Sequence, residues 1–176
     1  MQCLICVGST EFDELVKVLD DARFQKMLEE HGFKKVLFQT GRGKYMPVKN
    51  IKSSAALEIE IKDFIVLEPI INESDLVISH CGAGVLLECL RSKKNEKGGS
   101  GTANIAVINS ALMNNHQSEL GDKLHADGHN VCTDVAHVLD EIQNLLNDKE
   151  GLGKFTRFPP VKNGQVIDLI DEMLLM

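Results

Sequence analysis

The 176-residue sequence has no tryptophan, one tyrosine and four prolines, and acids outnumber bases. Lys plus Arg total 19 against 26 Asp plus Glu, a net charge of −7. That balance speaks against nucleic acid, whose binding faces carry a basic stripe. No apolar run approaches the ~20 residues needed to cross a bilayer. The start, Met1 to Val7, enters a short apolar segment without the basic region of a signal peptide, so the chain reads as cytosolic. Five cysteines, an odd number in no regular framework, are unlike a disulfide-stapled domain. Cys3 and Cys6 form a C-x-x-C, but in an apolar strand residues three apart point to opposite faces, and no second pair follows at zinc-site spacing. They read as core thiols. Three ligand signatures are also missing: G-x-G-x-x-G, the G-K-[ST] of a P-loop, and the D-x-D of a metal-held diphosphate.

What is present alternates strand and helix, the pattern of a parallel sheet with helices on both faces. Strands are expected at Leu4–Val7, Val36–Gln39, Leu57–Ile61, Ile65–Leu67, Leu76–Ser79, Ile105–Ile108 and Val131–Thr133, with a turn at Pro69. Helices are expected from Phe12 to Leu19, Phe24 to His31, Ala83 to Leu90, His116 to Ala126, Val135 to Leu146 and Val166 to Leu175. Arg91 to Thr102 is polar and glycine-rich, long for a helix-to-strand link, and reads as a surface loop. The whole, residues 1–176, reads as one Rossmann-like domain ending in a helix at about 165–175.

The chemistry concentrates at Asp75-Leu-Val-Ile-Ser-His80-Cys81-Gly82-Ala83-Gly84-Val85-Leu-Leu-Glu88. A buried strand passes through a glycine turn directly into a helix. The unpaired N–H groups and positive dipole end of that helix suit a diphosphate, and glycines let its oxygens reach the backbone. His80 can donate to a phosphate oxygen. Glu88, four residues after Gly84, leans back toward the helix start, where a carboxylate can accept both hydroxyls of a ribose. A second polar cluster, Asn109 to Gly121, follows the next strand, and Asn114, Asn115, His116 and Gln117 suit the hydroxyls and acetamido group of a sugar. A helix cap would account for one of these asparagines.

Ser79 to Glu88 resembles the H-x-G-x-x-S-x-x-E donor signature of two-Rossmann-domain (GT-B) nucleotide-sugar glycosyltransferases. With Gly8-Ser9-Thr10, Gln39-Thr40-Gly41-Arg42-Gly43, Ser110 to Gln117 and Phe158-Pro159-Pro160, the chain is similar to the small catalytic subunits of the dolichol-pathway UDP-N-acetylglucosamine (UDP-GlcNAc) transferase. The resemblance implies the donor-binding half of a split enzyme working without a metal or other cofactor. A membrane-anchored subunit would supply the acceptor half, as a heterodimer at the cytosolic face of the endoplasmic reticulum. The reaction would add GlcNAc in β1,4 linkage to GlcNAc-diphosphodolichol, for asparagine-linked glycosylation. Gly8, Ser9, His80, Gly82, Ala83 and Gly84 would hold the diphosphate and Glu88 the ribose. Asn114, Asn115, His116 and Gln117 would line the GlcNAc side. The catalytic base would be His116 or a group of the partner, and the apolar stripe Val166, Ile170, Met173, Leu174 would dock that partner or pack against its own domain. Two departures stand out: Val85 where the family commonly has Ser, and the polar insertion from Lys93 to Thr102. The alternatives are a UDP-GlcNAc epimerase-like enzyme, which would need a second Rossmann domain, and a non-catalytic nucleotide-sugar-binding or scaffold protein.

Overall fold

In a computed structural model the chain is described over residues 1–93, 101–109 and 116–159, with the backbone alone for 116–118. Six parallel strands form one sheet: β1 Gln2–Cys6, β2 Lys35–Gln39, β3 Glu58–Lys62, β4 Leu76–His80, β5 Ala103–Ile108 and β6 Val131–Asp134. Their order is β3-β2-β1-β4-β5-β6, the Rossmann order, with β1 and β4 adjacent at the centre. The helices are α1 Asp13–Leu19, α2 Ala22–Glu30, α3 Leu67–Glu73, α4 Ala83–Leu90, α5 His116–Ala126 and α6 Val138–Asn147.

Strand periodicity sorts the core into two layers. Cys3, Ile5, Val7, Val36, Phe38, Ile78 and Ile105 pack beneath α1, α2 and α6. Leu4, Cys6, Leu37 and Val77 pack beneath α3 and α4, and Ala106 lies between α4 and α5. Cys3 and Cys6 therefore face opposite layers as expected, each fully buried, and burial first of all pushes both thiols well above their usual range. They are inert core groups.

Two expectations fail between β3 and β4. Ile65–Leu67 is not a strand, and Pro69 does not mark a turn. Residues 63–66 form a loop and Leu67 opens α3, with Pro69 in its first turn, where a missing N–H costs no intrahelical bond. The apolar spacing misled because Ile65, Leu67 and Ile70 all pack on the Leu4–Cys6 layer, from a loop and a helix. The helix expected from Val135 starts at Val138, three residues later. The Asp134 carboxylate accepts from His137 N–H at 3.0 Å and holds Val135–His137 as a turn first.

The polar stretch after α4 is also not wholly a surface loop. Ser92 and Thr102 are buried, and the Thr102 hydroxyl lies 3.0 Å from Ser92 Oγ and 3.1 Å from Ile71 O. Its centre, 94–100, and the expected terminal helix at 165–175 with its Val166, Ile170, Met173 and Leu174 stripe lie outside the described residues.

Candidate nucleotide-sugar site

In an open parallel sheet, ligands sit outside the carboxyl ends of the strands where the strand order reverses. Here that point falls between β1 and β4, so it is built by the loops Val7–Phe12 and Cys81–Gly82. Those loops meet at His80. A Cβ placed on Gly8 would lie 2.9 Å from the His80 Cε1, and one placed on Gly82 would lie equally close to the same atom. The imidazole is thus flanked by two glycines, which bring the backbone of both loops against its ring. Gly8 is needed for a second reason, since its φ of 64° is a conformation other residues rarely adopt.

His80 is 8% exposed and its Nδ1 is buried without a hydrogen bond. Burial pushes its pKa below the ordinary histidine value, with the Cys6 backbone only partly opposing, so the ring is neutral at pH 7. A neutral ring offers an N–H to a phosphate without presenting a charge.

Gly82 caps α4 with extended backbone, and no side chain bonds to the first turn. Ala83 and Gly84 are exposed, which leaves the helix start open to solvent. Val85 points the other way. Its side chain is buried with Leu4, Cys6 and Cys89, so this position serves the core where a serine hydroxyl would serve a ligand. Glu88, exposed on α4, lines a groove of about 180 Å³ with Glu68 and Asn72 of α3, Leu87, Arg91 and Ser92. Partial burial, then the Glu68 charge, raises its pKa.

The first loop owes its shape to Gln39, which reading the sequence placed in a motif but gave no role. Its Oε1 accepts from Val7 N–H at 3.1 Å and Gly8 N–H at 2.9 Å. Its Nε2 donates to Gly8 O at 2.8 Å and Asp63 O at 2.7 Å. One buried amide thereby ties together the loops after β1, β2 and β3. The signal available in sequence was a glutamine closing the apolar run Val36–Phe38. Phe64 and Val66, 60% and 74% exposed, follow Asp63 in the loop after β3, at the carboxyl end of the sheet.

On the other side, Asn109 Nδ2 approaches Glu11 O at 3.4 Å, linking the end of β5 to the first loop. Gly121 lets α5 close on the turn: a Cβ there would come within 2.8 Å of Cys132 Sγ and closer to Cys81. Hydrogen bonding from Cys132 pulls the Cys81 thiol's pKa down, against burial. Of the residues assigned to the sugar, His116 and Gln117 begin α5, which starts on the same side of the sheet as the crevice. Asn114 and Asn115, and the side chains of His116 and Gln117, lie outside the described residues. Gly8, Ser9, His80, Gly82, Ala83 and Gly84 are brought together; Glu88 stands about one turn along α4 on the α3 side.

Residues 2–156 match the glycosyltransferase family 28 C-terminal domain. The UDP-N-acetylglucosamine transferase subunit ALG13 of Homo sapiens is 37% identical over 131 residues, covering 73% of this chain and 11% of the relative. The chain thus spans about a tenth of the length of the human relative it matches. The subunit of the same name from Cryptococcus neoformans is 24% identical over 198 residues, covering 97% of this chain and 95% of the relative. Among solved structures, the NMR solution structure of ALG13 superposes with a TM-score of 0.63 at 21% identity, covering 100% of this chain and 97% of the other. The crystal structure of MurG from Acinetobacter baumannii gives 0.67 at 21% identity, covering 98% of this chain and 50% of that one. The structural likenesses agree with the Rossmann-like parallel-sheet fold expected from the sequence, and over nearly its whole length the chain belongs to the glycosyltransferase family 28 C-terminal domain family.

Proposed function

We propose that this chain binds UDP-GlcNAc in the crevice between β1 and β4 and is the donor-binding, catalytic half of a split glycosyltransferase. The observation that carries the reading is the meeting of two glycine loops on the neutral His80, beside an uncapped helix start. A diphosphate placed there accepts from the backbone N–H groups at the start of α4, from the Gly8–Ser9 loop and from His80. Glu88 then receives the ribose hydroxyls. Because Glu88 faces α3, the uracil lies toward the Asp63–Val66 loop, where the exposed Phe64 offers an aromatic face. The GlcNAc extends the opposite way, toward α5 and the Asn114, Asn115, His116, Gln117 group.

In the proposed reaction the 4-hydroxyl oxygen of the lipid-linked GlcNAc attacks the donor C1 from the face opposite UDP. The C1–O bond breaks, UDP leaves with its electron pair, and configuration inverts from α to β. Charge grows on the diphosphate, and preorganised N–H donors with His80 stabilise it, with no metal assigned a part. The acceptor proton passes to a base, His116 or a group on the partner. The acceptor, GlcNAc-diphosphodolichol, and the second half of the cleft come with a membrane-anchored subunit at the endoplasmic reticulum. In support, no helix among the described residues is long and apolar enough to cross a membrane, and the human and fungal relatives carry the word subunit in their names.

Transfer of labelled GlcNAc from UDP-GlcNAc to a GlcNAc-diphospholipid tests the reading. Transfer is expected only when the membrane-anchored subunit is present. Full-rate transfer by this chain alone contradicts the division, and UDP binding without transfer in the complex favours a non-catalytic nucleotide-sugar-binding protein.

A further inference from the structure

The segment Arg42-Gly-Lys44-Tyr45-Met46-Pro47-Val48-Lys49-Asn-Ile-Lys52 holds four cations and no carboxylate, in a chain of net charge −7. It runs alongside α1 and is fastened to it at both ends. The Asp13 carboxylate accepts from the N–H of Lys44 at 3.0 Å and of Tyr45 at 3.1 Å. The buried Asp20 accepts from Tyr45 OH at 2.7 Å and from the N–H of Lys49, Asn50 and Ile51 at 2.8–3.1 Å. Between these anchors Val48 N–H bonds to Met46 O at 2.9 Å, a tight turn with Pro47 buried and Met46 and Val48 turned out, 48% and 55% exposed.

Lys17 of α1 joins the patch. Its Nζ lies 5.6 Å from the centre of the Tyr45 ring, and Lys49 Nζ lies 5.7 Å from it. Among the described residues, none of Lys17, Arg42, Lys44, Lys49 or Lys52 is in a salt bridge. Asp13 and Asp20 are engaged by its backbone and tyrosine, and Glu29, beside Lys52, accepts from Gln25 Nε2 at 2.9 Å and from the Ser54 hydroxyl at 2.8 Å. Glu14, on the first turn of α1, is the exposed carboxylate closest in sequence to Asp13. A rigid turn with two aliphatic side chains at its tip and unpaired lysines on each side is not what solvation of an acidic protein requires.

We propose that this turn docks the chain on an anionic lipid surface, Met46 and Val48 entering the headgroup layer and Lys17, Lys44, Lys49 and Lys52 meeting lipid phosphates and carboxylates. Charge complementarity decides for lipid over an apolar protein groove. Each basic residue near an anionic leaflet adds roughly fivefold to binding, and four such residues outweigh the long-range repulsion of a net negative body screened within a Debye length. The base of the segment meets the first loop, where Arg42 N–H donates to Thr10 O at 3.0 Å, while its tip, Met46 to Lys49, lies between the Asp13 and Asp20 anchors. The proposal goes beyond the transfer reading, since it concerns where the chain sits and not what it transfers.

Co-sedimentation of the full chain with phosphatidylserine-rich and with pure phosphatidylcholine vesicles tests this, with UDP affinity measured separately on every variant. Binding is expected to the anionic vesicles alone, falling with added salt. K44E/K49E should weaken it by more than about twentyfold, and M46S/V48S several-fold, with UDP affinity unchanged in both. No binding to anionic vesicles at low salt, equal binding to neutral ones, or binding indifferent to both variants overturns the proposal. So does loss of association with a partner subunit in detergent on K44E/K49E while vesicle binding persists, which makes the turn a protein interface. Failure of the unaltered chain to bind UDP while it binds anionic vesicles as expected contradicts the transfer reading and supports this one.

Discussion

The side-chain amide of Gln39 closes on both polar groups of Gly8, accepting from its N–H at 2.9 Å and donating to its C=O at 2.8 Å. A glutamine on β2 thereby does for the loop after β1 what a backbone partner would do, and holds Gly8 at the positive φ that brings it against His80. Removing the amide leaves buried donors and acceptors unpaired, each costing about 1–3 kcal/mol. Gln39→Leu is therefore expected to lower stability by about 2–4 kcal/mol in urea denaturation and to weaken UDP binding. Gln39→Glu keeps the two accepted N–H bonds but sets a carboxylate oxygen against two carbonyls, and should fall between leucine and wild type only below the pKa of that carboxyl.

Packing around His80 makes a second prediction. Gly82→Ala puts a methyl group against the imidazole, and Gly8→Ala adds strain at φ 64° to the same contact. Backbone strain of this kind is worth of order 1–3 kcal/mol. Both variants should lose UDP affinity, with Gly8→Ala the less stable by thermal melting. Gly84, around which a Cβ meets nothing, is the control: Gly84→Ala should leave stability unchanged or slightly higher.

The buried, neutral His80 fixes a pH dependence. Its folded pKa lies below the ordinary 6.5, so between the two values the unfolded chain binds a proton that the folded chain does not. Its contribution is complete above about pH 6.5 and is lost as pH falls. Urea stability followed from pH 8 to 5 should decline at the acid end, and the decline should be shallower in His80→Gln. An unchanged slope in that variant would show that the imidazole titrates as freely folded as unfolded.

Glu88 is expected to contribute through the ribose alone. Loss of one charge-assisted hydrogen-bond pair costs about 1.5–3 kcal/mol, so Glu88→Ala should bind UDP about tenfold or more weakly. Calorimetry with 2′-deoxy-UDP separates this from a general disturbance: wild type should prefer UDP, and Glu88→Ala should not distinguish the two.

Much of this was legible in the sequence because the signals are local. A strand, a glycine turn and a helix from Leu76 to Leu90 are specified by neighbouring residues; the structure places the helix to the residue and carries the strand one residue further, to His80. What was not legible depends on distant packing. Ile65–Leu67 reads as a strand, yet Ile65 and Leu67 meet one core layer together with Ile70, from a loop and a helix. Gln39 has no periodic signature, because its partners Gly8 and Asp63 are 31 and 24 residues away. Val85 looked like a lost hydroxyl, and its burial against Cys6 shows a position given over to the core. Asn114 and Asn115 have only their sequence to speak for them.

The central claim is that the crevice between β1 and β4 holds the donor. The most direct measurement is titration of isotope-labelled chain with UDP-GlcNAc, followed by backbone amide NMR. Saturable shifts are expected at Gly8, Ser9, Ala83, Gly84 and Glu88, and their loss in Gly82→Ala. No saturable shift, or shifts confined to residues away from these two loops, would contradict the account.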